Sequence, residues 1–146
     1  MITVKQASDA ERSDLMQPAQ RFSKKRQAIL DVLASTTSHP SAEWVYLQLK
    51  PLYPDLSLGT VYRNLAQFKE QGQIMSLGTV KGIERFDANT TPHVHFICDS
   101  CGCVDDLMDL QVPEELCRKA SGENGARVEH CWLTFSGVCT KCISEN

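Results

Sequence analysis

The chain has 146 residues, 42% of them hydrophobic, with 15 Lys/Arg against 18 Asp/Glu. That suffices for one ordinary domain or two small ones around a packed core, and it excludes wholesale disorder. No apolar run approaches a membrane span, and residues 1–20 lack the apolar core of an export signal, so the expectation is a soluble, cytoplasmic protein in a reducing compartment.

The charge is unevenly spread. Residues 1–88 carry eleven Lys/Arg against nine Asp/Glu, whereas residues 89–146 carry four against nine. Arg21, Lys24, Lys25 and Arg26 cluster in the first part. A modestly basic half beside an acidic half fits a DNA-binding module joined to a part that does not touch DNA; a solvated helix terminus explains the charge equally well.

Residues 1–20 are polar and weakly patterned, an arm or short helix. Ser23 can cap a helix over about residues 24–35, with Ile29, Val32 and Leu33 on one face. His39-Pro40-Ser41 breaks the chain, and Ser41 can cap a second helix to about Lys50 that buries Val45 and Leu49. Ser57 can cap a third, over about residues 58–71, with Leu58, Val61, Leu65 and Phe68 at helical spacing before Gly72 stops it. Residues 74–86 then read as two strands around Lys81-Gly82. Three short helices and a hairpin form the pattern of a winged helix-turn-helix, whose third helix enters the major groove.

Asn89, Thr90, Thr91 and Pro92 mark a linker. Beyond it, His93 to Cys98 is extended, a knuckle turns the chain, and Val104 to Leu107 returns. Pro113 can open a helix at its first turn, running to about Ala120, with Gly122 to Gly125 as a loop and Arg127 to Phe135 as a strand.

Two C-x-x-C pairs bracket this second part: Cys98/Cys101 and Cys139/Cys142, separated by 37 residues, 102–138. Two such knuckles complete a tetrahedral S₄ shell, the closed geometry of structural zinc. Disulfides are the competing reading, disfavoured in a reducing compartment. A thioredoxin-like motif needs a βαβ setting, and neither pair is expected to open a helix after a strand. Cys103, Cys117 and Cys131 remain as small buried or half-buried thiols.

His93 and His95, two apart in an extended segment, face the same way. Asp87 and Asp106 are nearby carboxylates, and strand alternation lets only one of Asp105 and Asp106 face the histidines.

Ser57-Leu58-Gly59-Thr60-Val61-Tyr62-Arg63-Asn64-Leu65, His93-Val94-His95-Phe96-Ile97-Cys98-Asp99-Ser100-Cys101-Gly102 and Gly137-Val138-Cys139-Thr140-Lys141-Cys142, in this order, resemble the recognition helix, metal signature and closing knuckle of the ferric uptake regulator family. The resemblance implies an α+β chain: an N-terminal winged helix-turn-helix over residues 21–88, then a small α/β dimerisation domain over 89–146 pinned by zinc. It implies a homodimeric, metal-dependent transcriptional repressor that binds double-stranded operator DNA. Within the family, the peroxide-sensing branch matches best. Its Fe²⁺ or Mn²⁺ site carries over to His39, Asp87, His93, His95 and Asp106, and its oxidation-sensitive ligands to His39 and His93, with hydrogen peroxide as the signal. The iron-sensing branch commonly has Glu at the Asp87 and Asp106 positions and a further His before the pair, where this chain has Pro92. On the recognition helix, Tyr62 is assigned to a base edge or methyl group, Arg63 and Ser57 to phosphates, and Thr60 and Asn64 to possible base contacts. His130 reads as a structural histidine.

Other functions compete less well. Zinc deaminases pair their cysteines with H-x-E; here His95 stands two after His93, and the four cysteines leave no open zinc position. The chain is therefore read as no enzyme. An iron-, manganese- or zinc-responsive repressor of the same family, and a zinc-binding module that does not bind DNA, remain as alternatives.

Overall fold

The computed structural model describes residues 24–145. The arm expected over residues 1–20, the Ser23 cap and Arg21 lie outside the described residues.

Helices α1 (Lys24–Ala34), α2 (Ala42–Leu49) and α3 (Leu58–Glu70) enclose a core in which Ile29, Leu33, Val45, Leu49, Val61, Leu65 and Phe68 are each at most 2% exposed. Both serine caps form. Ser41 Oγ accepts from the Trp44 N–H at 3.2 Å, and Ser57 Oγ from the Thr60 N–H at 3.1 Å. Each accepts from a first-turn N–H, as a side-chain cap does.

Strands β1 (Met75–Val80) and β2 (Ile83–Asp87) form an antiparallel hairpin. Its turn residues, Lys81 and Gly82, have φ of 51° and 80°, the mirror-image turn that matches strand twist. Phe86 and Ile74 join the helical core, so hairpin and helices are one winged helix.

Residues 88–93 lead to a second sheet of order β4-β3-β5. In it, β3 (Val94–Cys98) pairs antiparallel with β4 (Val104–Leu107) and parallel with β5 (Leu133–Gly137). Helix α4 (Glu114–Asn124) lies between β4 and β5 in sequence, and α5 (Thr140–Ser144) follows β5.

The segment from α4 to β5 departs from expectation in three places. Pro113 is the cap residue of α4 rather than part of its first turn. The helix continues through Gly122 and stops only at Gly125, whose φ of 60° supplies a left-handed cap. Glycine inside a helix costs about 1 kcal/mol relative to alanine, too little to end one held by its neighbours. The strand begins at Leu133, not Arg127. Ser121 Oγ takes the Val128 N–H at 3.2 Å, tying the preceding segment to α4 instead of the sheet.

Candidate metal centres and DNA-facing helix

The first cluster gathers Sγ of Cys98, Cys101, Cys139 and Cys142 within 4.8 Å of one another. The Cys98/Cys101 knuckle closes through the Gly102 N–H to the Cys98 carbonyl at 2.8 Å and the Cys98 N–H to the Cys103 carbonyl at 2.9 Å. Gly102 has φ of 74°, which only glycine adopts without strain. The second knuckle is brought alongside because Cys98 pairs with Gly137 at the end of the β3–β5 ladder. Cys139 then caps α5, so this pair does open a short helix after a strand, contrary to expectation; it meets the other pair rather than standing alone.

Backbone N–H groups of Cys101 and Cys139 point at Cys98 Sγ from 3.5 and 3.3 Å. They hold the Cys98 thiol down to about 6, favouring the thiolate a metal requires. Sulfurs about 2.3 Å from a tetrahedral zinc lie ~3.8 Å apart; Cys101 Sγ and Cys139 Sγ are 3.8 Å apart. The four residues fit zinc. A fifth thiol, Cys103, stands beside the knuckle, and burial together with Cys101 and Cys139 pushes it up to about 12.

The second cluster gathers His39, Asp87, His93, His95 and Asp106. His39 lies in the turn before α2 and Asp87 ends β2, whereas the other three belong to or precede the β3–β4 ladder. Asp106 pairs with His95 and Asp105 with Phe96, so register turns Asp106 toward the histidines and Asp105 away. His39 Nε2 lies 2.9 Å from Asp106 Oδ1 and 3.4 Å from Asp87 Oδ2. His93 Nε2 is 3.1 Å from each of these oxygens. His95 Nε2 is 3.3 and 3.4 Å from them.

These spacings fit a metal better than a hydrogen-bonded cluster. Ligand atoms ~2.1 Å from one ion and at right angles to each other are separated by about 3 Å. His39 Nε2 is buried and makes no well-angled hydrogen bond despite its close carboxylates, as expected of atoms aimed at a common centre. Carbonyl oxygens fix two of the rings from behind: Val104 at 3.2 Å from His39 Nδ1 and Thr91 at 2.7 Å from His93 Nδ1. A carbonyl only accepts, which assigns the proton to Nδ1 and leaves Nε2 as donor to a metal.

Burial works to lower the His39 pKa, but Asp87 and Asp106 outweigh it and raise it. Asp87 is held at about 2: burial opposes its charge, but His39, the Asn89 N–H and His95 more than compensate. Burial lowers His95. Three imidazoles and two carboxylates suit Fe²⁺ or Mn²⁺ rather than a thiolate-seeking ion. His39 also has φ of 51° just before a proline, a strained conformation held by the Phe86 N–H on the Pro40 carbonyl at 3.1 Å.

On α3, Tyr62 and Arg63 are exposed. Tyr62 donates to the Glu43 carboxylate, and Arg63 Nη2 reaches Thr60 Oγ1 at 3.3 Å. Ser57 and Thr60 are engaged in the helix cap. Asn64 is half-buried: its oxygen accepts from Arg26 at 3.1 Å and its amide donates to the Thr60 carbonyl at 2.8 Å. Of the described members of the basic cluster, Lys24 is exposed, but two are engaged. Arg26 is buried over the Phe68 ring and also donates to Gln67 and Gln71, while Lys25 pairs with Asp55. His130 stacks on Trp132, with ring centroids 6.2 Å apart.

Sequence reasoning missed three contributors: the two carbonyls behind His39 and His93, the buried Arg26 network, and a contact between hairpin and knuckle. Lys81 Nζ donates to the Ser100 carbonyl there. Backbone carbonyls leave no sequence signal; the fifth cysteine beside the knuckle was visible, but not its neighbours.

Known proteins share this fold. The chain is 37% identical to the peroxide-responsive repressor PerR of Staphylococcus aureus over 132 residues, 89% of this chain and 87% of that one. A peroxide stress regulator from Campylobacter jejuni superposes with a TM-score of 0.68 at 28% identity, covering 81% of this chain and 88% of its own. A ferric uptake regulator from Francisella tularensis gives 0.72 at 25% identity, covering 89% and 99%. Residues 18–136 match the ferric uptake regulator family, and the chain belongs to it.

Proposed function

We propose that the chain is a homodimeric, metal-dependent repressor that binds operator DNA and senses hydrogen peroxide through oxidation of His39 or His93. The observation that carries this reading is the five-residue cluster, because its members come from both halves of the chain. Holding His39 and Asp87 together with His93, His95 and Asp106 fixes the angle between winged helix and sheet.

In a dimer that angle sets the spacing of two α3 helices. They must reach major grooves about one helical turn apart, ~34 Å, or a multiple of it. A metal that binds only the closed arrangement shifts the population toward it. Moving an equilibrium from 1:99 to 99:1 takes about 10⁴-fold preference; five ligands drawn from two sides provide a basis for one. Dimerisation is supported by β5, an edge strand with exposed Phe135, flanked by exposed Trp132 and Val138.

His39, Asp87, His93, His95 and Asp106 would hold Fe²⁺ or Mn²⁺, and of the two only Fe²⁺ would supply the reducing chemistry that activates peroxide. His39, His93 and His95 all hold Nε2 in the cluster, and the resemblance to the peroxide-sensing branch assigns the oxidation to His39 and His93, whose rings are fixed from behind by carbonyls. Oxygen added to either imidazole removes a ligand, frees the angle and releases DNA. Zinc in the S₄ shell has no redox chemistry and pins the sheet throughout. The similarity to the Staphylococcus aureus peroxide-responsive repressor supports this branch over an iron- or manganese-responsive one. Operator binding with Fe²⁺ or Mn²⁺, with and without peroxide, tests it. Loss of binding only with Fe²⁺ and peroxide is expected; equal behaviour of both metal forms overturns the oxidation mechanism.

A further inference from the structure

From the placement of α4 against the segment entering β5, we infer that Cys117 and Cys131 form a reversible redox pair, closing an intrachain disulfide when a small-molecule disulfide oxidises the protein. Neither residue belongs to the two metal clusters. Cys117 lies on α4, and Cys131 two residues before β5. Both line the same cleft, and Cys131 beside it pushes the Cys117 thiol up.

The backbone explains why they meet. One helical turn beyond Cys117, Ser121 Oγ donates to the Cys117 carbonyl at 3.1 Å and accepts the Val128 N–H at 3.2 Å. The segment from Val128 to Cys131 therefore runs back along α4, bringing Cys131 to Cys117. Both thiols are half-buried and line one cleft of about 410 Å³, with Glu114, Glu129 and His130 beside them. The cleft admits a small oxidant.

The pair is remote from zinc. Leu133 opposes Val94 at one end of the β3–β5 ladder, and Gly137 opposes Cys98 at the other. Four strand steps span about 13 Å. Cys131 precedes the Leu133 end and Cys98 stands at the Gly137 end, and neither Cys117 nor Cys131 falls within the four-sulfur cluster.

The chemistry is thiol–disulfide exchange. One protein thiolate attacks a sulfur of the small disulfide and expels one small thiolate. The second protein thiolate attacks the protein sulfur of that mixed disulfide and expels the other. Two S–H bonds are lost, one S–S bond forms, and two electrons and two protons leave on two small thiols. No regulatory metal takes part, so this response stands or falls apart from the peroxide reading above.

The test uses the zinc-loaded full chain without regulatory metal, incubated with oxidised glutathione and mapped by non-reducing peptide mass spectrometry. The expected product is a Cys117–Cys131 cross-linked peptide with zinc fully retained and the link reversed by dithiothreitol. Cys117→Ser and Cys131→Ser should each abolish the cross-link while keeping zinc and the circular dichroism of the parent. Three results overturn the proposal: cross-links among Cys98, Cys101, Cys139 and Cys142 with zinc release; separate glutathione adducts on Cys117 and Cys131 without a link; or both thiols free when a control dithiol is fully oxidised.

Discussion

Asp106 faces His95 directly across the β3–β4 ladder, while its neighbour Asp105 faces Phe96. Two adjacent carboxylates thereby take opposite roles. The Asp106 oxygen lies 2.9 Å from His39 Nε2, joining the turn before α2 to the second sheet; Asp105 is exposed.

Asp106→Ala should therefore abolish Mn²⁺-activated operator binding while leaving zinc content and dimer mass unchanged. Asp105→Ala should behave as the parent, within about 0.5 kcal/mol in stability. Titration of both variants with Mn²⁺ in a DNA-binding assay decides. Loss of activation in Asp105→Ala would place the carboxylate ligand on the other face of β4.

The zinc cluster carries a separate expectation. Structural zinc contributes roughly 10–16 kcal/mol of apparent folding free energy in small peptides, against about 5–15 kcal/mol for a whole domain. Cys98→Ser or Cys142→Ser should give zinc-poor protein that is largely monomeric or aggregated. Zinc content by metal analysis and mass by light scattering check this; normal values in both variants rule out the S₄ site.

How far the sequence could be read follows from how local each signal is. The caps at Ser41 and Ser57 and the Lys81-Gly82 turn act through neighbouring residues, so the winged helix was legible nearly to the residue. In the second half, the extent of β5 depends on β3, which offers only Val94–Cys98 as a partner, and on the distant hold of Ser121 on Val128. Composition could not separate an extended segment from a paired strand there. The carboxylate facing His95 needed the ladder register, a relation between two strands rather than a property of either. Sequence groups Arg26 with a basic cluster because it shows the charge but not the burial.

The exposed face of α3 makes Tyr62 and Arg63 the strongest candidates for DNA contact, since Asn64 is held by Arg26 and by the Thr60 carbonyl. Tyr62→Ala and Arg63→Ala should each weaken operator binding at least tenfold while preserving zinc and fold. If Arg63 neutralises one phosphate, its loss should also reduce the slope of log affinity against log salt by about 0.9. Fluorescence anisotropy at several salt concentrations measures both quantities, and unchanged affinity in both variants moves the recognition surface elsewhere.

Two glycines should respond in opposite senses to alanine. Gly102 has φ of 74°, and an added Cβ would lie 3.2 Å from Lys81 Cδ. Gly102→Ala should cost about 1–2 kcal/mol from left-handed backbone alone, and the flexible Lys81 side chain can yield. Gly122 is helical and an added Cβ meets nothing within 4 Å. Gly122→Ala should stabilise by about 0.5–1 kcal/mol. Denaturant unfolding of the zinc-loaded proteins reads both signs.

With Fe²⁺ bound and peroxide added briefly, the peptide containing His39 or the one containing His93 should gain an oxygen atom. His39 is 1% exposed, so bulk oxidant cannot select it over the exposed Met108, which is 62% exposed. Oxidation at buried His39 ahead of exposed Met108 therefore requires an oxidant made inside the cluster. The Mn²⁺ form should show the reverse order, with both histidines unmodified. Cys98, Cys101, Cys139 and Cys142 should keep their zinc in either form, because a closed thiolate shell leaves the metal no open position. Quantitative peptide mass mapping at matched peroxide doses compares these sites directly. Intact histidines, accompanied by zinc release and a disulfide within Cys98–Cys101, would make the protein a thiol sensor instead.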